Sequence, residues 1–171
     1  MKKFLITMLA VALCATAMAK VKVTGGDAGC MRERVTAVVV FDYSAATFDK
    51  EQSYEAWCGE DYGERVEKSA EAFVEGFNKK SKGLKIEGEE SEAKYRITVK
   101  VGDMDQSMSF SCNWGQMSFK CSAEITITEI ATGEVVCIVT VDEERGGCDY
   151  SPLDRITDCF NGIGKELAKK K

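Results

Sequence analysis

Cysteine is the residue type through which this sequence could do chemistry. The chain holds eight, and two stand where a thiol can be activated. Cys58, in CGEDY, and Cys148, in CDY, each precede a predicted helix start. The partial positive charge of a helix N-terminus stabilises a thiolate, so a free thiol there is a candidate nucleophile. The competing role is a disulfide. Cys58 and Cys148 can pair if their helices lie side by side and parallel; otherwise one of them can pair with Cys30. There is no CxxC, which removes a thioredoxin-type pair and a zinc ribbon. There is no histidine either. That removes Ser-His-Asp, Cys-His and His-based zinc catalysis together.

Carboxylates gather at Glu60, Asp61 and Glu64, at Asp142, Glu143 and Glu144, and at Asp149, Asp154 and Asp158, with a D-x-D pair at Asp103 and Asp105. Paired carboxylates serve glycoside hydrolysis and clustered ones bind calcium. No EF-hand loop is present, and a solvated acidic face with helix capping accounts for the groups. Gly25-Gly26-Asp27-Ala28-Gly29 lacks the GK[ST] of a phosphate loop. The sequence implies no catalytic residue, no metal site and no cofactor. Trp57, Trp114, Tyr43 and Tyr150 fall in connections. Loop aromatics can anchor a partner, but covering the edge of a core is the simpler role.

The compartment follows from the N-terminus. Lys2 and Lys3, the apolar run FLITMLAVALCATAMA and Ala17-Met18-Ala19 form a signal peptide over residues 1–19, with cleavage after Ala19. A lipoprotein anchored at Cys14 is the alternative; Leu13 stands where such a signal needs a small residue. The exported chain, in the periplasm or outside the cell, is then a single domain over 20–171, long enough for a sizeable core. Cys14 leaves with the signal, so an odd number of cysteines remains and at least one is unpaired within the chain. Losing two lysines leaves 21 basic against 28 acidic residues. Nucleic acid is a poor partner for such a balance. No other stretch is long and apolar enough to integrate into a membrane.

The elements that must position these residues are read from periodicity. In 116–128 Met117, Phe119, Cys121, Ala123, Ile125 and Ile127 alternate with polar residues, and Val135, Cys137, Val139 and Val141 repeat the pattern. A three-residue loop, Ala131-Thr132-Gly133 with Gly133 left-handed, sets Ile127 opposite Cys137, Ile125 opposite Val139 and Ala123 opposite Val141. VTAVVVFDY (35–43) is a central strand, Leu84 and Ile86 begin a short one, and Tyr95 to Val101 form another. Val21 and Val23 suit a short edge strand. Beyond Val101 the chain is either a loop or a strand that changes parity at Gly102. A turn at Trp114-Gly115 then sets Phe110 opposite Phe119 and Met108 opposite Cys121. That register keeps Cys112 and Cys121 too far apart for a disulfide.

Two helices complete the chain. The first, 61–82, carries the stripe Val66, Ala70, Phe73, Val74 and Phe77, with Asp61 and Glu64 placed for a capping box. The second begins at Ser151-Pro152 and carries Leu153, Ile156, Phe160, Ile163 and Leu167. The predicted fold is α+β: a two-layer sandwich, β-α-β-β-β-β-α, with two long helices on one face of a mostly antiparallel sheet of about five strands.

The strand VTAVVVFDY, the helix AEAFVEGFN and the hairpin AEITITEIATGEVV followed by a C-terminal helix resemble, in order, the small α/β domains of bacterial envelope proteins of the curli-secretion and TolB N-terminal type. The whole chain is also similar to small exported Bacteroidetes-type proteins of uncharacterised function. The resemblance implies an envelope location and a binding or assembly role, and carries no catalytic residue. The expected function is a non-enzymatic binding or accessory domain; the alternative is a thiol-dependent redox factor or enzyme using Cys58 or Cys148. If both helices cover one face, Val136, Ile138 and part of 37–41 face outward. Trp114 joins them as a candidate partner surface, for an envelope protein or a second copy of the chain, unless 20–34 or 102–115 covers it.

Overall fold

Apolar residues at every second position force the central strands to bury one face, and that face gathers both long helices. The structure, a computed structural model, describes residues 21–107, 117–147 and 151–170. The strands are β1 (Val21–Gly26), β2 (Thr36–Asp42), β3 (Thr47–Phe48), β4 (Gln52–Ser53), β5 (Lys85–Ile86), β6 (Tyr95–Ser107), β7 (Ser118–Glu129) and β8 (Val135–Arg145). The helices are α1 (Tyr54–Cys58), α2 (Tyr62–Lys80) and α3 (Pro152–Leu167). Strands β1-β8-β7-β6-β2-β5 lie side by side in that order, and the β3–β4 hairpin joins through β3 to β6. The fold is α+β, as the sequence predicts. The sheet is larger than predicted, however, with eight strands instead of about five. It is also mixed: β6 and β5 run parallel to β2, and β3 runs parallel to β6. The extra strands escape periodicity because β3, β4 and β5 have two residues each.

Register follows the apolar pairs. Ile127 faces Cys137, Ile125 faces Val139 and Ala123 faces Val141, as predicted. The route differs. Glu129 and Glu134 close a four-residue loop, and the extra residue is returned by a bulge at Val136. Gly133 has φ 72°, the left-handed conformation the turn needs and a side chain resists. On the other side of β7, the strand β6 continues through a bulge at Gly102, the parity change seen in the sequence. Its continuation corrects the register at that end. Met104, not Met108, faces Cys121, and Gln106, not Phe110, faces Phe119. Cys121 carries a free thiol; Cys112, Met108, Phe110 and the Trp114-Gly115 turn lie outside the described residues.

The first long helix begins differently from its prediction. Ser53 caps α1, accepting from the amide of Ala56 at 3.2 Å, and a 3-10 turn at Gly59–Asp61 leads directly into α2. Asp61 is therefore already helical and caps nothing; its carboxylate takes Arg65 at 2.8 Å. Ser151 caps α3 as expected, accepting from the amide of Asp154, with Pro152 in the first turn. Phe73 and Phe77 of α2 and Ile156, Phe160, Ile163 and Leu167 of α3 are buried against Ile97, Val99, Ile125 and Val139 of the sheet. Burying each such side chain contributes about 1.5–3 kcal/mol.

Residues 21–32 do not cover the open face. They add β1 to the edge of the sheet and then place Cys30 and Met31 in the core. Residues 102–107 also stay within the sheet. No element among the described residues packs on the face away from the helices. Val40 there is 45% exposed, and Ile138 is half-buried.

Candidate functional site

The thiols singled out by the sequence are buried. Cys58 ends α1 and is 6% exposed; Cys30, in the 3-10 turn Ala28–Arg32, is also 6% exposed. Burial pushes the Cys30 thiol up to about 11, helped by Cys137 and Glu33 nearby. Burial likewise raises Cys58, although Tyr54 and the Arg65 guanidinium, 3.9 Å from the sulfur, oppose the shift. A thiol held protonated at neutral pH is a weak nucleophile. The five described cysteines, Cys30 and Cys58 among them, form no disulfide with one another. Both long helices start at the end of the sheet where β2 and β8 finish. Tyr62, at the start of α2, stands edge-on to Tyr43. Gly146, just past β8, lies so close to the first turn of α3 that a β-carbon there would be 2.1 Å from the carbonyl oxygen of Arg155. Cys148 and Trp114 lie outside the described residues. Trp57 and Tyr43 serve the core edge. Trp57 stacks on Phe48 with ring centroids 3.9 Å apart and carries Arg65 over its other side, and Tyr43 stacks on Tyr54.

The acidic groups are brought together in a way the sequence does not announce. Ser122 of β7 stands opposite two bulges at once. Gly102 and Asp103 of β6 face it on one side, and Asp142 and Glu143 of β8 on the other. Each bulge bends its strand away, opening a cleft of about 180 Å3 on the open face. Lys50, Asp103, Asp105, Lys120, Asp142 and Glu143 line it. Asp49, Lys50 and Glu143 are the non-glycine residues of the described chain with positive φ, and all three belong to this corner. Strain of this kind persists only where its surroundings hold it.

Those surroundings are the protein's own donors. Asp103 accepts from the hydroxyl of Thr47 at 2.7 Å and from the amide of Lys50 at 2.8 Å. Ser122 donates to the carbonyl of Asp103 at 2.9 Å. Lys120 lies 3.5 Å from Asp105 and 3.7 Å from Glu143. Desolvation, with Asp105 and Asp103 close by, raises the carboxyl of Asp49. The hydroxyl of Ser122 is directed to the main-chain carbonyl of Asp103, and no cluster of three metal-ligating side chains occurs among the described residues. The cleft fastens the β3–β4 hairpin to β6. Its signal in the sequence was Gly102 followed by the D-x-D pair; that the DEE run at 142–144 meets it across β7 depends on two bulges whose positions alternation does not specify.

Of the candidate partner surface, Ile138 lies on the open face, but Val136 does not join it: at the bulge beside Ile138 it packs against the core. Paired residues run across this face in rows. One row is Asp42, Lys100, Glu124, Thr140 and Lys22; the next is Val40, Thr98, Thr126 and Ile138.

No family model matches the chain, and no curated protein matches it. Solved structures do. The PelC dodecamer from Paraburkholderia phytofirmans aligns over 86% of this chain and 96% of its own, with TM-score 0.50 and 16% identity. A hemagglutinin homologue from Helicobacter pylori aligns over 84% of this chain and 86% of its own, with TM-score 0.34 and 11% identity. At such identities the likeness to PelC is one of fold.

Proposed function

We propose that this chain is an exported, non-enzymatic binding or assembly domain of the bacterial envelope, and that it works as an assembly of its own copies. The observation that carries the reading is the uncovered sheet face. It is broad, it bears Val38, Val40 and Ile138 among threonines, and no described element packs on it. Soluble monomers seldom leave such a face bare. PelC, which shares the fold, forms a dodecamer, and that supports self-association. The N-terminal signal pattern and the resemblance to envelope domains support the compartment. A thiol-dependent reading has less behind it, because the Cys58 thiol is buried and raised.

Light scattering on the protein as the cell yields it, across a hundredfold range of concentration, tests the reading. A mass that rises above that of one chain supports it. A single-chain mass throughout overturns self-association.

A further inference from the structure

Four strands define the open face, and their pairing sets out its chemistry in rows. Along β2, β6, β7 and β8 the first row reads Asp42, Lys100, Glu124, Thr140. The second reads Val40, Thr98, Thr126, Ile138, and a third begins Val38, Arg96, Thr128. Lys100 and Glu124 are neighbours across β6 and β7, both are exposed, and they form no ion pair with each other within 4 Å. Arg96, by contrast, is paired with Glu90.

These rows become complementary when turned over. A two-fold axis running along the strands, between β6 and β7, exchanges β6 with β7 and β2 with β8 while leaving each row at its own height. Lys100 then meets Glu124 of the second copy, twice over. Thr98 meets Thr126, and Val40 meets Ile138. The charged row pairs opposite signs, the threonines face each other, and the exposed valine is covered by an isoleucine. An axis between β7 and β8 would instead set Glu124 against Thr140 and Lys100 against Lys22, two like charges. Sheet twist makes stacked sheets cross at about 30°, so the match is closest at the central strands, where the charge pair lies. Four strands about 4.8 Å apart and three rows about 6.7 Å apart make a patch of roughly 19 by 20 Å. That is about half of the ~800 Å2 per partner that a standard interface buries, so the contact is a small one that depends on its charge pairs.

We infer that the open face is the seat of a two-fold contact with a second copy of this chain, centred on Lys100 and Glu124. The inference rests on the self-association proposed above and names its surface. Charge complementarity supplies specificity, so the test exchanges charges.

Lys100→Glu and Glu124→Lys are made separately, and association is followed by light scattering and sedimentation. Each variant alone sets like charges against each other twice and should associate at least ~10-fold more weakly than the parent. Mixed one to one, the two variants restore both opposite-sign pairs, and association should return. Unfolding midpoints by circular dichroism report whether each variant folds. If one does not, Thr98→Cys mixed with Thr126→Cys takes its place, with a short bis-maleimide expected to join the two chains at those positions. A parent that stays a single chain overturns the self-association reading and the inference with it. A parent that associates, with variants that associate equally well, overturns this face and leaves the reading intact. Variants that dissociate and do not recover on mixing, or cysteines that fail to cross-link, overturn the two-fold arrangement.

Discussion

Gly76 of α2 is pressed against the main chain of Asn161 of α3. A β-carbon at position 76 would lie 2.3 Å from the carbonyl oxygen of Asn161. Gly164 returns the contact, with a β-carbon there 2.3 Å from the carbonyl of Phe73. The two helices are brought together by these glycines, and the side-chain Nδ2 of Asn161 donates to the carbonyl of Ala72 at 3.0 Å across the same seam.

Gly76→Ala should therefore destabilise the fold. A helix interior ordinarily gains about 1 kcal/mol from that change. Overpacking costs about 1–3 kcal/mol, and backbone cannot step aside as a flexible side chain does. Gly63, in the first turn of α2, has nothing within 4 Å of its would-be β-carbon. Gly63→Ala should be neutral or slightly stabilising. Chemical denaturation of the pair checks the contrast; a Gly76→Ala protein as stable as the Gly63→Ala protein contradicts the close approach.

Phe73 and Phe160 test the core on either side of that seam. Both are fully buried, and both place their rings edge-on to Phe41, at 5.4 and 6.0 Å. Phe→Ala at either position should cost about 3–5 kcal/mol. A loss below ~1 kcal/mol in urea unfolding would mean that the stripe does not pack as described.

The helix stripes and the β7–β8 register were legible in the sequence because periodicity carries them directly. Ile127 can face Cys137 only if one whole face is apolar, and alternation states that. Gly76 and Gly164 were not legible. A glycine within a helical pattern reads as a weakness until the neighbouring backbone is seen. The paired bulges beside Ser122 escaped for a related reason: a bulge shifts parity by one residue, and on β8 the residues after Val141 are polar on both faces, so no apolar alternation marks the shift. The cap at Asp61 misled because the same carboxylate serves equally well as an i,i+4 partner of Arg65. Only the helical turn preceding it decides between the two.

Alkaline pH should weaken the fold through its thiols. Burial raises Cys30 from an ordinary 9.0 to about 11, and burial raises Cys58 and Cys137 in the same direction. A raised acid group favours the folded state while it is protonated. Its contribution is whole below the unfolded value and is lost as pH climbs through the folded one. Stability should then fall between about pH 9 and 11 more steeply than in Cys30→Ala. The buried phenols of Tyr43 and Tyr54 act in the same sense at higher pH. Urea midpoints measured across that range provide the check. Equal slopes for the parent and Cys30→Ala would show that the thiol titrates normally in the folded protein.

Ile138→Lys separates burial from partnership on the open face. Ile138 is half-buried, flanked by Thr126 on β7 and by Gly25 on β1, where a β-carbon would lie 3.3 Å from its terminal methyl. Nothing among the described residues lies above it. A lysine at this position can run its stem along the same surface and leave its ammonium in water. The change in folding stability should thus stay below about 1 kcal/mol, the scale of a surface substitution. Association should nevertheless collapse, because in the two-fold arrangement the new charge is set over Val40 of the second copy and must lose its water there. Thermal unfolding and light scattering on the same samples read the two effects apart. A large loss of stability would place a covering segment over Ile138. Unchanged stability together with unchanged mass would remove this residue from any interface.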